Sequence, residues 1–181
     1  KPLDEVKVVF CGDTRNNMAY AWMYGCAKMG MHFVGWGPKE LSPAEDVIAY
    51  CNEVAKDTGA VLEFGEDLAL LKGADVIYTD IWVSMGEEAK LAERVKQLAP
   101  YKVTSKVMAA TENPKCLFMH CLPAYHDFET LTAQHCKEEG YDIREVDDDV
   151  FRSKQSVVFD EAENRMHTIK AVMAATLGYN G

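Results

Sequence analysis

The chain has 181 residues, a length that fits one domain around a single core. Hydrophobic residues make up 48% and charged residues 27%, which excludes a disordered chain, and no apolar run approaches the roughly 18 residues of a membrane helix. With 29 acidic residues against 19 basic ones the net charge is −10, which opposes nucleic-acid binding because that affinity rests on neutralising phosphates.

In chain order, Val6–Cys11 is a nearly continuous apolar run, as expected of a strand buried on both faces. A helical pattern follows from Asn16 to Met29 and stops at Gly30. Met31–Gly35 reads as a second strand. Ser42-Pro43-Ala44-Glu45 reads as a capping box, with Ser42 as N-cap, opening a helix that runs to Thr58 and stops at Gly59. A third strand spans Ala60–Phe64, a short helix Glu66–Leu71 and a fourth strand Ala74–Thr79. Glu87–Leu98 and Val103–Ala110 are helical, Cys116–His120 is a fifth strand, and a long loop runs through Pro123. A turn or two of helix is expected at Asp147–Ser153. The final helix covers Ala162–Leu177, with apolar positions at Met166, Ile169, Val172, Met173 and Leu177.

Helices alternating with strands at this spacing predict an α/β fold: a doubly wound, Rossmann-like parallel sheet of about five strands with helices on both faces. Such sheets hold ligands beyond the carboxyl ends of their strands, and three polar clusters fall there.

The first cluster is Gly12-Asp13-Thr14-Arg15-Asn16-Asn17-Met18. It offers backbone N–H groups at a helix start, yet its single glycine is not the dinucleotide fingerprint. It is either a capped turn, with Asn16 or Asp13 as N-cap, or a site in which the Asn17 amide meets both a carboxylate and an ammonium. The second is Tyr78-Thr79-Asp80-Ile81-Trp82-Val83-Ser84-Met85-Gly86. Asp80 ends a buried strand, so it needs a cation or several donors, a substrate ammonium among them; the alternative is a helix cap. The third is His120-Cys121-Leu122-Pro123-Ala124. Neighbours in a strand face opposite ways, so a polarising or positioning thiol is favoured over a Cys121 nucleophile served by His120. A buried structural cysteine is the competing account. Arg165 is read at the start of the last helix, where a positive charge is disfavoured unless a bound ligand or a neighbour such as Glu161 or Glu163 accepts its donors.

The six cysteines form no C-x-x-C pair and read as reduced thiols in a reducing compartment. His120, Cys121 and His126 lack the partners of a tetrahedral zinc set, so no metal and no cofactor is expected. No secretory leader is visible and the location expected is cytoplasmic. Lys1–Glu5 contains no initiator Met and runs straight into a strand, which suggests a processed or excised piece.

Asp80-x-x-x-Ser84-Met85-Gly86, His120-Cys121-Leu122-Pro123 and Glu163-Asn164-Arg165-Met166-His167 resemble the signature elements of the ornithine carbamoyltransferases. The Gly12–Met18 turn matches that of the bacterial-type members, and the resemblance runs from near residue 5 to residue 178. Aspartate carbamoyltransferases carry Pro where Cys121 stands, and they and putrescine carbamoyltransferases lack the Ser-Met-Gly loop. The resemblance implies that Asn17, Asp80, Ser84 and Met85 hold the α-amino and α-carboxylate groups of ornithine. Cys121 and the Leu122 carbonyl oxygen would lie at the reacting end, and Arg165 would reach the carbonyl oxygen of carbamoyl phosphate. Cys121, Arg165 and Asp80 are the catalytic candidates, for attack of a neutral δ-amine that yields citrulline and phosphate.

The family's phosphate clamp and His-Pro-x-Gln segment are absent. Residues 1–181 therefore read as one domain, the ornithine-binding half, without the carbamoyl-phosphate domain and inactive alone. The intact family implies a homotrimer or a multiple of trimers, with no nucleic-acid or membrane partner. It also implies a last helix that returns to the first domain. A non-catalytic amino-acid-binding module is the rival reading.

Overall fold

The computed structural model describes residues 1–83 and 88–179. The strands are β1 (Lys7–Cys11), β2 (His32–Trp36), β3 (Val61–Gly65), β4 (Val76–Thr79) and β5 (Leu117–His120). The helices are α1 (Asn17–Met29), α2 (Glu45–Thr58), α3 (Leu91–Leu98), α4 (Ser105–Ala110), α5 (Leu131–Glu138), α6 (Asp148–Phe151) and α7 (Val158–Thr176).

All five strands pair in parallel, in the order β3-β2-β1-β4-β5. The chain winds outward from β1 through β2 to β3, then returns past β1 to β4 and β5. That reversal places a topological switch point between β1 and β4.

Alternate strand residues feed two separate cores, as the two-residue side-chain period requires. Val8, Phe10, Phe33, Val76 and Tyr78 pack with Ala19, Met23 and Cys26 of α1 and Cys51 of α2. Val9, Cys11, Val34, Ile77 and Phe118 pack on the other side with Val107 and Met108 of α4 and Val150 and Phe151 of α6. Helices therefore cover both faces, and the doubly wound parallel sheet expected from the alternation of elements is the fold. Helices α1 and α2 end where expected, at Gly30 and Gly59, both in the left-handed conformation. No helix among the described residues is long and apolar enough to cross a membrane.

Four local expectations are corrected. The capping box on α2 does not form. Pro43 holds Ser42 extended, so Ser42 closes a preceding 3-10 turn and Ala44 becomes the N-cap. The Tyr20 hydroxyl accepts the Ala44 N–H at 3.0 Å in place of a side-chain cap. The segment expected as a helix at 66–71 is a 3-10 turn at Leu68–Leu71, started by Asp67. Helix α5 was not anticipated; Thr130 caps it by accepting the Ala133 N–H.

Helix α7 starts at Val158, four residues before the expected Ala162. Arg165 consequently sits in the second turn or beyond, clear of the positive helix end. The apolar positions expected on this helix are present, yet Met166, Val172, Met173 and Leu177 are all at least 60% exposed. Those side chains cover no core in this chain.

Candidate functional site

The crevice at the switch point is lined by the turn after β1 and the end of β4. Asn16 is the N-cap of α1, its Oδ1 accepting the Ala19 N–H at 2.7 Å. Its amide nitrogen donates across the crevice to Asp80 Oδ2 at 3.2 Å. One carboxamide thus both starts a helix and joins the two strand ends. Asp13 is held in the same turn: Oδ1 accepts the Arg15 N–H at 2.9 Å, and Oδ2 pairs with Arg94 of α3 at 2.6 Å. Asn17, the first residue of α1, is exposed and lines an adjoining cleft of about 740 Å3 with Asp13, Asn16, Ile81 and Trp82.

Asp80 is partly buried, and several donors satisfy it, one of the two arrangements its position called for. Besides Asn16, Oδ1 accepts the Ile81 N–H at 2.7 Å. The Cys121 thiol, just past the end of β5, lies near enough to Asp80 for the carboxylate to act on it. Tyr78, two residues before Asp80, belongs to the buried cluster against which Cys121 packs. Burial, then the neighbouring Asp80, push the Cys121 thiol far above its ordinary range. Cys121 is therefore held in its S–H form.

His120 points to the opposite face, as its place in a strand required. Its Nε2 meets Glu145 Oε1 at 2.9 Å with both side chains fully buried. Its Nδ1 bonds to the Cys121 carbonyl oxygen. Glu145 Oε1 also accepts the Tyr125 N–H at 2.5 Å, while Oε2 is buried without a partner among the described residues. His120 and Glu145 thus brace the loop from Cys121 to Tyr125, and His120 is no base for the thiol. The Leu122–Pro123 peptide in this loop is cis, and Leu122 is exposed. His126 leaves the group altogether: it stacks on Phe151 with ring centroids 3.8 Å apart and meets Asp148 at 2.6 Å. His126, Asp127 and Asp148 do cluster, and Arg152 bonds both carboxylates.

The structure therefore brings Asn16, Asp80 and Cys121 into one contiguous group, with Asn17 on its edge. Arg165 is exposed on α7, and among the described residues it pairs with no carboxylate. Glu161 does not serve it as an ion-pair partner, because both Glu161 oxygens are engaged elsewhere. Ser84 and Met85 lie outside the described residues.

Residues not singled out for the site are Tyr78, Glu145 and the Asn16–Asp80 bond. Asn16 was legible only as a cap. Nothing in the charged run around Arg144-Glu145-Val146-Asp147 marks one of its members as fully buried.

Comparisons with known proteins agree on one family. The family model described as "Aspartate/ornithine carbamoyltransferase, Asp/Orn binding domain" matches residues 4–176. A catabolic ornithine carbamoyltransferase of Clostridium perfringens (strain 13 / Type A) is 62% identical over 98% of this chain and 55% of its own length. Ornithine carbamoyltransferase 1, catabolic, of Staphylococcus epidermidis is 50% identical over 98% of this chain and 54% of its own. The solved ornithine carbamoyltransferase of Pyrococcus furiosus superposes with a TM-score of 0.77 at 40% identity, covering 93% of this chain and 49% of that one. The chain spans about half the length of the curated relatives it matches. A parallel sheet wound as described, a family match along almost every residue and relatives of this identity lead to one conclusion: the chain belongs to the aspartate/ornithine carbamoyltransferase family.

Proposed function

We propose that residues 1–181 form the amino-acid-binding half of an ornithine carbamoyltransferase. Carbamoyl phosphate would be held by a domain outside these residues. The observation that carries the reading is the meeting of Asn16, Asp80 and Cys121 where β1, β4 and β5 end, with the exposed Asn17 amide beside them. That rim offers a carboxylate for an ammonium and an amide for a carboxylate, the two ends of a zwitterion.

In this reading Asn17, Asp80, Ser84 and Met85 hold the α-amino and α-carboxylate groups of ornithine. Cys121 and the Leu122 carbonyl lie at the reacting end, and Arg165 takes the carbonyl oxygen of carbamoyl phosphate. An ammonium cannot attack, so the site must favour the uncharged δ-amine. Partial burial of the crevice favours it by desolvation, and the protonated Cys121 orients the amine without taking its proton. Arg165 then stabilises charge growing on the carbonyl oxygen. Placing two substrates in reacting geometry supplies much of the remaining acceleration.

The exposed apolar stripe of α7 is the surface proposed to meet the missing domain. The intact enzyme is proposed to be a homotrimer or a multiple of trimers. Four of its cysteines, Cys11, Cys26, Cys51 and Cys116, are free and completely or almost completely buried, which suits a reducing, cytoplasmic setting.

The test is reconstitution. The chain alone is expected to form no citrulline, and mixing it with a separately produced first domain should restore it. Stable association without product would overturn the reading. Tight ornithine binding by the chain alone would instead favour a non-catalytic binding module.

Asp80→Asn gives a sharper outcome in the reconstituted enzyme. It keeps the shape and removes the charge, so ornithine affinity should fall roughly 10- to 150-fold, the value of a charge-assisted bond worth about 1.5–3 kcal/mol. Carbamoyl phosphate affinity should barely move. Equal losses for both substrates, read by calorimetry, would make Asp80 a structural residue.

A further inference from the structure

Glu161, in the first turn of α7, turns inward and not toward Arg165. Its Oε1 accepts the Tyr78 hydroxyl at 3.0 Å, and its Oε2 accepts the backbone N–H of His120 at 3.1 Å. Tyr78 is fully buried in β4, fixed by stacking on Phe10 and by an edge contact with Trp22 at 5.2 Å between centroids. His120 is locked on its other side by Glu145. Glu161 therefore grips two rigid points, one on each strand that carries a reacting-end residue. Tyr78 in turn belongs to the buried cluster against which Cys121 packs, and His120 is the residue directly before Cys121.

The same carboxylate fixes a helix. Arg165 lies four residues after Glu161, one turn along the same side of α7. Val158 is the one residue of α7 that is buried, so the apolar anchoring of this helix is confined to its start. The angle at which α7 leaves the sheet, and with it the place of Arg165, depends on how that first turn is held.

We infer that Glu161 is a positioning residue that sets Cys121 and Arg165 relative to one another by clamping the first turn of α7 to Tyr78 and to the His120 backbone. It touches no reacting atom in this assignment and acts through those two neighbours. The inference rests on the carbamoyl-transfer reading for its kinetic arm alone. Its geometric arm is independent of any reaction.

The test is Glu161→Gln, which keeps volume but leaves one acceptor oxygen for two donors. In the two-domain enzyme kcat should fall about 10- to 100-fold, the cost of misplacing reacting groups by an ångström or less. The KM for ornithine should stay within about threefold, because uniform binding is untouched. Tyr78→Phe removes one of the two bonds by deleting a single oxygen and should reproduce part of the fall in kcat.

A second readout needs no activity. Iodoacetamide labelling of Cys121 in the 181-residue chain, located by peptide mass spectrometry, should quicken about 3- to 10-fold in Glu161→Gln. Loss of a nearby negative charge favours the reactive thiolate, and loosening the clamp opens the site. Cys121 can be told apart because the other five thiols are buried. An unchanged labelling rate, or a wild-type kcat in Glu161→Gln, overturns the inference. If the wild-type two-domain protein makes no citrulline, the functional reading fails, while labelling still decides whether Glu161 governs Cys121.

Discussion

On the role proposed for Arg165, Arg165→Gln is expected to lower kcat of the proposed two-domain enzyme about 10²- to 10³-fold, the usual cost of losing one donor aimed at a developing oxyanion. The side chain is exposed on α7 and, among the described residues, bonded to no carboxylate, so its replacement removes no internal support. Thermal stability of the chain should accordingly change by no more than about 0.5 kcal/mol. Arg165→Lys keeps the charge and loses the planar fork of donors, so it should recover only part of the rate. Steady-state citrulline assays beside a melting curve separate the outcomes. An Arg165→Gln enzyme with unimpaired kcat would remove Arg165 from the reaction.

The second large effect is on folding. Glu145→Ala should destabilise the chain by about 3–5 kcal/mol, because it strands His120 in a fully dry position and leaves the Tyr125 N–H without its acceptor. Urea denaturation at neutral pH measures this. A loss below about 1 kcal/mol would mean that water replaces the carboxylate.

The pH dependence carries a definite sign. Burial pushes the Glu145 carboxyl above its ordinary value of 4.5, and the bonds from His120 and Tyr125 offset this only in part. A carboxyl raised in the folded state contributes stability that is complete below its unfolded pKa and is lost as pH rises through the folded one. Wild-type stability should therefore decline along that arm above about pH 4.5, and Glu145→Gln, which cannot titrate, should decline less. Identical slopes would show that Glu145 does not titrate differently on folding.

What the sequence made legible divides along a physical line. Strand cores and glycine stops are written in local composition, so Val6–Cys11, Gly30 and Gly59 fell within a residue or two of their places. Parallel winding followed from alternation alone. The rim clusters could be located because a carboxylate such as Asp80 at the end of an apolar run has few cheap explanations. Partners across the fold were not legible. Whether Glu161 reaches Arg165 one turn away or Tyr78 across 83 positions depends on which way α7 faces, and no local pattern encodes that. Glu145 escaped for the same reason: a glutamate among Arg144 and Asp147 looks solvated until the fold brings His120 to it. The Ser42 capping box failed because a proline beside it had already settled the backbone.

Helix α7 is built like a beam fixed at one end. Its first turn is bolted to the sheet by Val158 and Glu161, and nearly every residue beyond is exposed. Its outer amides are guarded only by helix–coil equilibrium, whereas those of β1 and β4 open with the whole domain. Deuterium uptake along the beam should thus outrun that of the sheet by orders of magnitude, and slow once a second domain lies against it.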